Sequence, residues 1–93
     1  MPKASDNLER VRPDLIRRLR RIEGQARGLQ GMLADGRGCE EIVTQVAALK
    51  AAVQQVGVAL IGCVLENELR QALKDGKDTS PAIDKAKKLL SKL

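Results

Sequence analysis

The chain has 93 residues, 43% of them hydrophobic and none of them Phe, Tyr, Trp or His, with 17 Lys and Arg against 12 Asp and Glu for a formal net charge of +5. That length allows one small domain, residues 1–93, with a core of Leu, Ile, Val, Ala and Met so thin that oligomerisation is favoured. The composition is too apolar for a disordered chain, offers no aromatic platform for single-stranded nucleic acid, and lacks the His, phosphate loop or carboxylate cleft expected of an enzyme.

Leu15, Leu19, Ile22, Ala26, Leu29 and Leu33 step by four and three and predict a first amphipathic helix. Pro13 suits its first turn, with Asp14 near the positive end of the helix dipole, and Leu8 and Val11 suggest a frayed extension before the proline. Gly24, Gly28 and Gly31 lie inside this helix. Each costs up to about 1 kcal/mol against Ala, which makes sense if another backbone comes close, or is simply tolerated. Asp35-Gly36-Arg37-Gly38 breaks the pattern, and so short a loop predicts an antiparallel helical hairpin.

A second helix is predicted from Cys39 to Leu73, about 50 Å long at the standard rise. Ala47, Ala48, Ala51, Ala52, Gly57 and Ala59 give its middle small residues that permit close packing, and beyond Leu60 the apolar stripe moves to Ile61, Leu65, Leu69 and Ala72. Asp75-Gly76 ends it. Ser80 as N-cap and Pro81 at the first position then open a short third helix with Ile83, Ala86, Leu90 and Leu93 on one face. The fold class is all-α, a helical hairpin plus a short third helix, with a four-helix core only when two chains meet. No apolar run approaches the ~20 residues of a membrane span, and Met1-Pro2-Lys3-Ala4-Ser5-Asp6 has no signal-peptide core, so a soluble cytoplasmic chain away from membranes is expected.

Positive charge is clustered. Arg10, Arg12, Arg17, Arg18, Arg20, Arg21 and Arg27 crowd the first third, and Lys85, Lys87, Lys88 and Lys92 gather near the end. Duplex DNA is the natural partner of such a surface, although pairing with Glu9, Asp14 and Glu23 would withdraw some of the arginines from phosphate. Both cysteines fall on one heptad stripe: Cys39, Ile42, Val46, Leu49, Val53, Val56, Leu60 and Cys63. The 24 residues between them span roughly 36 Å of helix, too far for a disulfide within one chain. Two such helices packed antiparallel about Ala51 would bring Cys39 of one chain to Cys63 of the other, so any thiol chemistry belongs between subunits. Cys39 opens its helix beside Arg37, which favours a nucleophilic thiolate, while Glu40 and Glu41 oppose it.

Arg18-x-x-x-Ile22-Glu23-Gly24-Gln25, a cysteine after a Gly-rich loop, and Ile42-Val43-Thr44-Gln45-Val46-Ala47-Ala48 resemble the CsoR/RcnR family of bacterial metal- or thiol-sensing transcriptional repressors, over roughly Leu15 to Leu93. The resemblance implies a homodimer assembling to a homotetramer, with operator DNA held on a basic surface that includes Arg17, Arg18, Arg20, Arg21 and Gln25. It also implies an effector site shared by two subunits, in which Cys39 of one chain meets the positions of Val64 and Glu68 of the other. Family members commonly place His at the first of these positions and Cys or His at the second. Val64 cannot ligate, and Glu68 is a hard ligand poorly matched to Cu(I), so no cofactor is required and a copper site would rest on Cys39 with Cys63 as the only other thiolate.

Of three effector chemistries, sulfane-sulfur sensing is the leading expectation, with Cu(I) or another metal and formaldehyde as the alternatives. A persulfide or other sulfane sulfur would act through Cys39 and Cys63, although the persulfide-sensing branch carries its second cysteine at the Glu68 position. Cu(I) would act as in the metal-sensing branch. Formaldehyde would act as resemblance to the formaldehyde-sensing branch implies, crosslinking Cys39 to the amine of Pro2, exposed once Met1 is removed. Outside this family, a helical protein-interaction adaptor would fit the same heptad faces.

Overall fold

Three helices account for most of residues 6–93, the part of the chain that the computed structural model describes: α1 (Asp6–Ala34), α2 (Cys39–Lys74) and α3 (Ser80–Leu90). Among the described residues there is no strand, as the periodicity predicts, and the expected hairpin and third helix are present. The reading of Pro2 as a reactive amine lies outside the described residues.

The helical extension expected from Leu8 and Val11 is present, but the place of Pro13 differs from expectation. The helix begins at Asp6 and runs through Pro13, so the proline sits inside it rather than in its first turn. Proline cannot donate to the carbonyl of Glu9, and the helix must be held on its N-terminal side by other contacts. Asn7 is buried there and Leu8 and Val11 are half-buried. Asp14 is therefore an interior residue of α1, far from the helix dipole's positive end.

Glycine marks the end of each of the first two helices. Gly36 and Gly76 have φ of +73° and +65°. The Arg37 N–H donates back to the Met32 carbonyl at 3.0 Å and the Lys77 N–H to the Ala72 carbonyl at 2.8 Å, closing two Schellman turns. At α3 the cap lies one residue earlier than expected: Thr79 is the N-cap and makes no side-chain cap bond, Ser80 is already helical, and the Asp78 carboxylate accepts the Ser80 N–H at 3.1 Å. That hydrogen bond, helped by the Ser80 hydroxyl, holds the Asp78 carboxyl below its ordinary value.

Packing divides the chain into two compact units, one of residues 14–56 and one of residues 6–13 with Gly57–Leu93. The first is the helical hairpin. Leu15 and Val56 are buried in it, with Ile22, Ala26, Leu29 and Met32 of α1 and Ile42, Leu49 and Ala52 of α2 half-buried. Leu19 and Leu33, predicted on the inward stripe, are 48% and 65% exposed. The three α1 glycines meet no other backbone: nothing lies within 4 Å of a Cβ built on Gly28 or Gly31, and only the Arg27 side chain approaches one on Gly24.

In the second unit Cys63, Ala82, Ala86 and Asn7 are buried. The inward face of α3 is Ala82, Ala86 and Leu89; of the predicted set Ala86 is buried and Leu93 reaches Gly57, whereas Ile83 and Leu90 are exposed. Two alanines let the α3 backbone sit low on its neighbour, which turns the larger Ile83 and Leu90 outward. Gly57 serves close approach as expected of a small residue, since a Cβ there would stand 2.9 Å from Leu93 Cδ2.

The burial pattern also splits the heptad stripe of α2. Ile42, Leu49, Val56 and Cys63, seven apart, are covered within the chain, whereas Cys39, Val46, Val53 and Leu60 form an exposed row. This second row explains another departure from expectation. By length and composition α2 is apolar enough to cross a membrane, although almost none of its apolar window is buried in the single chain. The alanines raise the hydropathy of the whole window, whereas the longest uninterrupted apolar run, residues 56–65, is too short for a span, so the sequence showed none. Lys50, Gln54 and Gln55 nevertheless interrupt the helix near its middle.

Candidate nucleic-acid interface and sensor positions

Residues one, four and eight positions apart on a helix share a broad face, and Arg17, Arg18, Arg21 and Gln25 follow that spacing on α1. In the hairpin unit they line one groove of about 500 Å3, together with Asp14 and Ile22 of α1 and Ala52 and Gln55 of α2. Arg20, predicted for the same surface, falls elsewhere and borders a shallow depression with Ile16, Leu19, Ile22 and Glu23.

Charge in the groove is arranged around one carboxylate. Asp14 Oδ1 accepts from Arg17 Nη2 at 2.5 Å, and Asp14 Oδ2 stands 2.9 Å from Arg18 Nε. Arg21 has no ion-pair partner among the described residues. Gln25 Oε1 is buried and accepts no hydrogen bond from the described residues. The groove thus presents guanidinium donors beside carboxylate and amide acceptors, a surface suited to phosphate and base edges of a duplex. Of its polar lining, sequence reasoning placed the arginines and Gln25 and missed Gln55. The expected pairing of first-helix arginines with Glu9 and Asp14 is present, and the spacing of Asp14 three and four residues from Arg17 and Arg18 selects which two it holds. Nothing in the sequence singled out Gln55.

The sensor positions are divided between the units. Cys39 is the first residue of α2 in the hairpin unit, and its thiol is free and exposed. The neighbouring Arg37 guanidinium is held by Glu41 at 2.6 Å, one helical turn into α2. Cys63, Val64 and Glu68 belong to the other unit. The Cys63 thiol is free but buried, at 9% exposure, and Val64 is half-buried. Glu68 is exposed, and its carboxylate is 3.5 Å from Lys85 Nζ of α3. Beside it on α2, Asn67 accepts a 2.7 Å hydrogen bond from the Asn7 side chain, and Glu66 pairs with Arg10 at 3.6 Å. Among the described residues no three His, Cys, Asp or Glu come together as a metal site.

Residues 11–92 match the model of a family described as metal-sensitive transcriptional repressors. The copper-sensing transcriptional repressor CsoR of Bacillus subtilis is 37% identical over 62 residues, 67% of this chain and 61% of that protein's length. The copper-sensing transcriptional repressor RicR of Mycobacterium tuberculosis is 29% identical over 73 residues, covering 78% of this chain and 76% of the relative. An uncharacterized Bacillus subtilis protein, YrkD, is 34% identical over 61 residues, 66% of this chain and 97% of its own. No solved structure matches the chain. With the match running through the arginine groove, both cysteines and all three helices, the chain belongs to the family of metal-sensitive transcriptional repressors, proteins that regulate transcription rather than catalyse reactions.

Proposed function

We propose that the chain is a cytoplasmic, DNA-binding transcriptional repressor that releases its operator when an effector reacts at Cys39. The observation that carries the DNA reading is the groove in which Arg17, Arg18, Arg21 and Gln25 converge on the hairpin. The exposed row of Val46, Val53 and Leu60 supports assembly with a second copy into an antiparallel four-helix-bundle dimer, which pairs again into a tetramer. In that dimer Cys39 of one chain lies toward the far end of its partner's α2, where Val64 and Glu68 reside.

The effector is proposed to be a persulfide. Cu(I) prefers thiolate and imidazole, and these positions do not fit it: the chain has no His, Val64 has no donor atom, and Glu68 is an oxygen ligand already paired with Lys85. An exposed thiol at the start of a helix suits attack on sulfane sulfur instead. The Cys39 thiolate displaces a thiolate from the persulfide and keeps the outer sulfur as its own persulfide. Attack by the Cys63 thiolate on the inner sulfur then releases hydrosulfide and leaves an interchain disulfide. Burial of Cys63 makes this second step the slow one. The copper-sensing relatives favour a second reading, in which Cu(I) itself is the effector.

A thermodynamic coupling of about 1–3 kcal/mol would lower operator affinity by roughly 5- to 150-fold. The test measures binding of the wild type, Cys39→Ser and Cys63→Ser to a promoter duplex before and after a persulfide donor, Cu(I) or formaldehyde, with mass spectrometry of the products. Persulfide-specific release, lost in Cys39→Ser and arrested at a Cys39 persulfide in Cys63→Ser, is the expected result. Release by Cu(I) alone would replace the persulfide reading with the copper one. Release by formaldehyde with a Pro2 adduct would replace it with aldehyde sensing. Absence of salt-sensitive duplex binding in every form would point to a protein-interaction adaptor.

A further inference from the structure

We propose that Asp14 is the specificity-determining residue of the DNA face, a positioning carboxylate that holds two arginines for one backbone path and withholds their charge from all others. The inference rests on the DNA-binding reading of the groove. Its starting point is the placement of an acid in the middle of a surface otherwise lined by Arg17, Arg18, Arg21 and two glutamines. Asp14 has no other evident task. It is the ninth residue of α1, away from the helix dipole's end, and its pairs with Arg17 and Arg18 are 41–67% exposed, so they add little to folding.

The geometry of the two pairs is asymmetric in a useful way. Arg18 approaches Asp14 through Nε, so its terminal nitrogens have no other ion-pair partner among the described residues and can donate outward. Arg17 is held through Nη2, which leaves Nε and Nη1. Each guanidinium keeps donors for phosphate while its rotamers are already restricted, so less conformational freedom is lost on binding a duplex that fits. A duplex whose phosphates miss those positions meets the carboxylate instead. It must then either tolerate the like charge or break the pairs. Sequence-dependent groove width and backbone path decide which case applies, and the acid converts that difference in shape into a difference in affinity. Asp14 also offers an acceptor to an exposed cytosine amino group, beside the amides of Gln25 and Gln55.

Removing the charge should therefore loosen discrimination rather than weaken binding. In Asp14→Asn, affinity for non-specific duplex should rise roughly 3- to 10-fold, about what one or two added phosphate contacts give, and the salt dependence for that duplex should steepen by about one to two contacts. Affinity for the fitting duplex should stay level or fall.

The experiment uses the full chain and two probes: a duplex selected by the wild type from a random-sequence pool, and a scrambled duplex of the same length and composition. The expected result is a specificity ratio reduced about tenfold in Asp14→Asn and restored in large part by Asp14→Glu, whose longer carboxylate still reaches Arg18 at i,i+4. An unchanged ratio in Asp14→Asn overturns the proposal, and so does a lost ratio that Asp14→Glu fails to recover. Arg21→Ala separates the two levels of the claim. If it leaves binding to both duplexes at wild-type strength, the DNA face itself is misplaced. If it weakens both while the Asp14→Asn ratio holds, only the role of Asp14 is wrong.

Discussion

In the hairpin of residues 14–56, each described side-chain hydrogen bond and ion pair stays within one helix or its adjoining turn: Asp14 with Arg17 and Arg18, Arg37 with Glu41, Thr44 with the Glu40 carbonyl, Gln30 with the Ala26 carbonyl. In the unit of residues 6–13 and Gly57–Leu93, polar pairs cross between helices: Asn7 to Asn67, Arg10 to Glu66 and Lys85 to Glu68. Among the described side-chain bonds none joins the hairpin's two helices, so their packing rests on apolar contact, and none of its charged groups is committed to the facing helix. The other unit spends polar groups on fixing which turn of one helix faces which turn of another. Apolar packing supplies most of the free energy in both, but directional bonds specify register in only one. On the proposed reading, that division leaves the arginine groove and Cys39 on the unit with local pairs, and Cys63, Val64 and Glu68 on the unit whose register is fixed by polar bonds.

The largest expected effect tests the apolar side of the contrast. Leu15 is 6% exposed in the hairpin, and Leu15→Ala should cost about 2–5 kcal/mol of unfolding free energy. Asp14→Asn, one residue away, should change stability by no more than about 0.5 kcal/mol, because its pairs are exposed. Urea unfolding at a fixed chain concentration measures both, the concentration being held because assembly shifts the midpoint. A cost for Asp14→Asn that rivals Leu15→Ala would show that the hairpin, too, depends on its polar pairs.

The crossing pairs give a smaller effect with a different signature. Asn7 is 3% exposed, and truncating its partner leaves a buried amide without its hydrogen bond. Asn67→Ala should cost about 1–3 kcal/mol. The double variant Asn7→Ala with Asn67→Ala should cost clearly less than the two single changes summed, since each single change strands the other amide. Additive costs in that cycle would mean the pair does not act as a unit, and the contrast between the units would lose its strongest member.

Much of this was legible in the residues. The periods of α1 and α2, the glycines that end them and the family motif around Gln25 and Cys39 all follow from local spacing, which a single sequence displays. What was hidden depends on which of two apolar rows a helix turns inward. On α2 the rows of Ile42, Leu49, Val56 and Cys63 and of Val46, Val53 and Leu60 are equally apolar, so one stripe was read where the chain uses two. On α3 the same ambiguity set Ile83 and Leu90 inward, whereas the smaller Ala82 and Ala86 pack more closely. Pro13 misled for another reason. Its preference for a first turn is local, and the burial of Asn7, Leu8 and Val11 overrides it. The convergence of Asp14 with two arginines was readable from spacing, but Gln55 reaches the groove only through the packing of the hairpin.

The smallest effect lies at the start of α3, where a carboxylate rather than a serine satisfies the helix. The Asp78 carboxyl is held below its ordinary value because the ionised form accepts the Ser80 N–H and hydroxyl. A group depressed in the folded state contributes stability that is complete above its unfolded pKa of about 3.9 and disappears as pH falls through the lower folded value. Asp78→Asn keeps an acceptor and removes the charge, so the difference in thermal midpoint between wild type and variant isolates the ionised form. That difference should favour the wild type, hold constant from about pH 7 to pH 5, and shrink toward zero as the solution is acidified below about pH 4. A difference that instead grows on acidification would mean the neutral carboxyl is the preferred cap. Asp78 is fully open to solvent, so the shift should be slight. Its location gives it meaning, because it would place one more directional polar contact in the unit of residues 6–13 and Gly57–Leu93, the unit whose helices are already joined by such contacts.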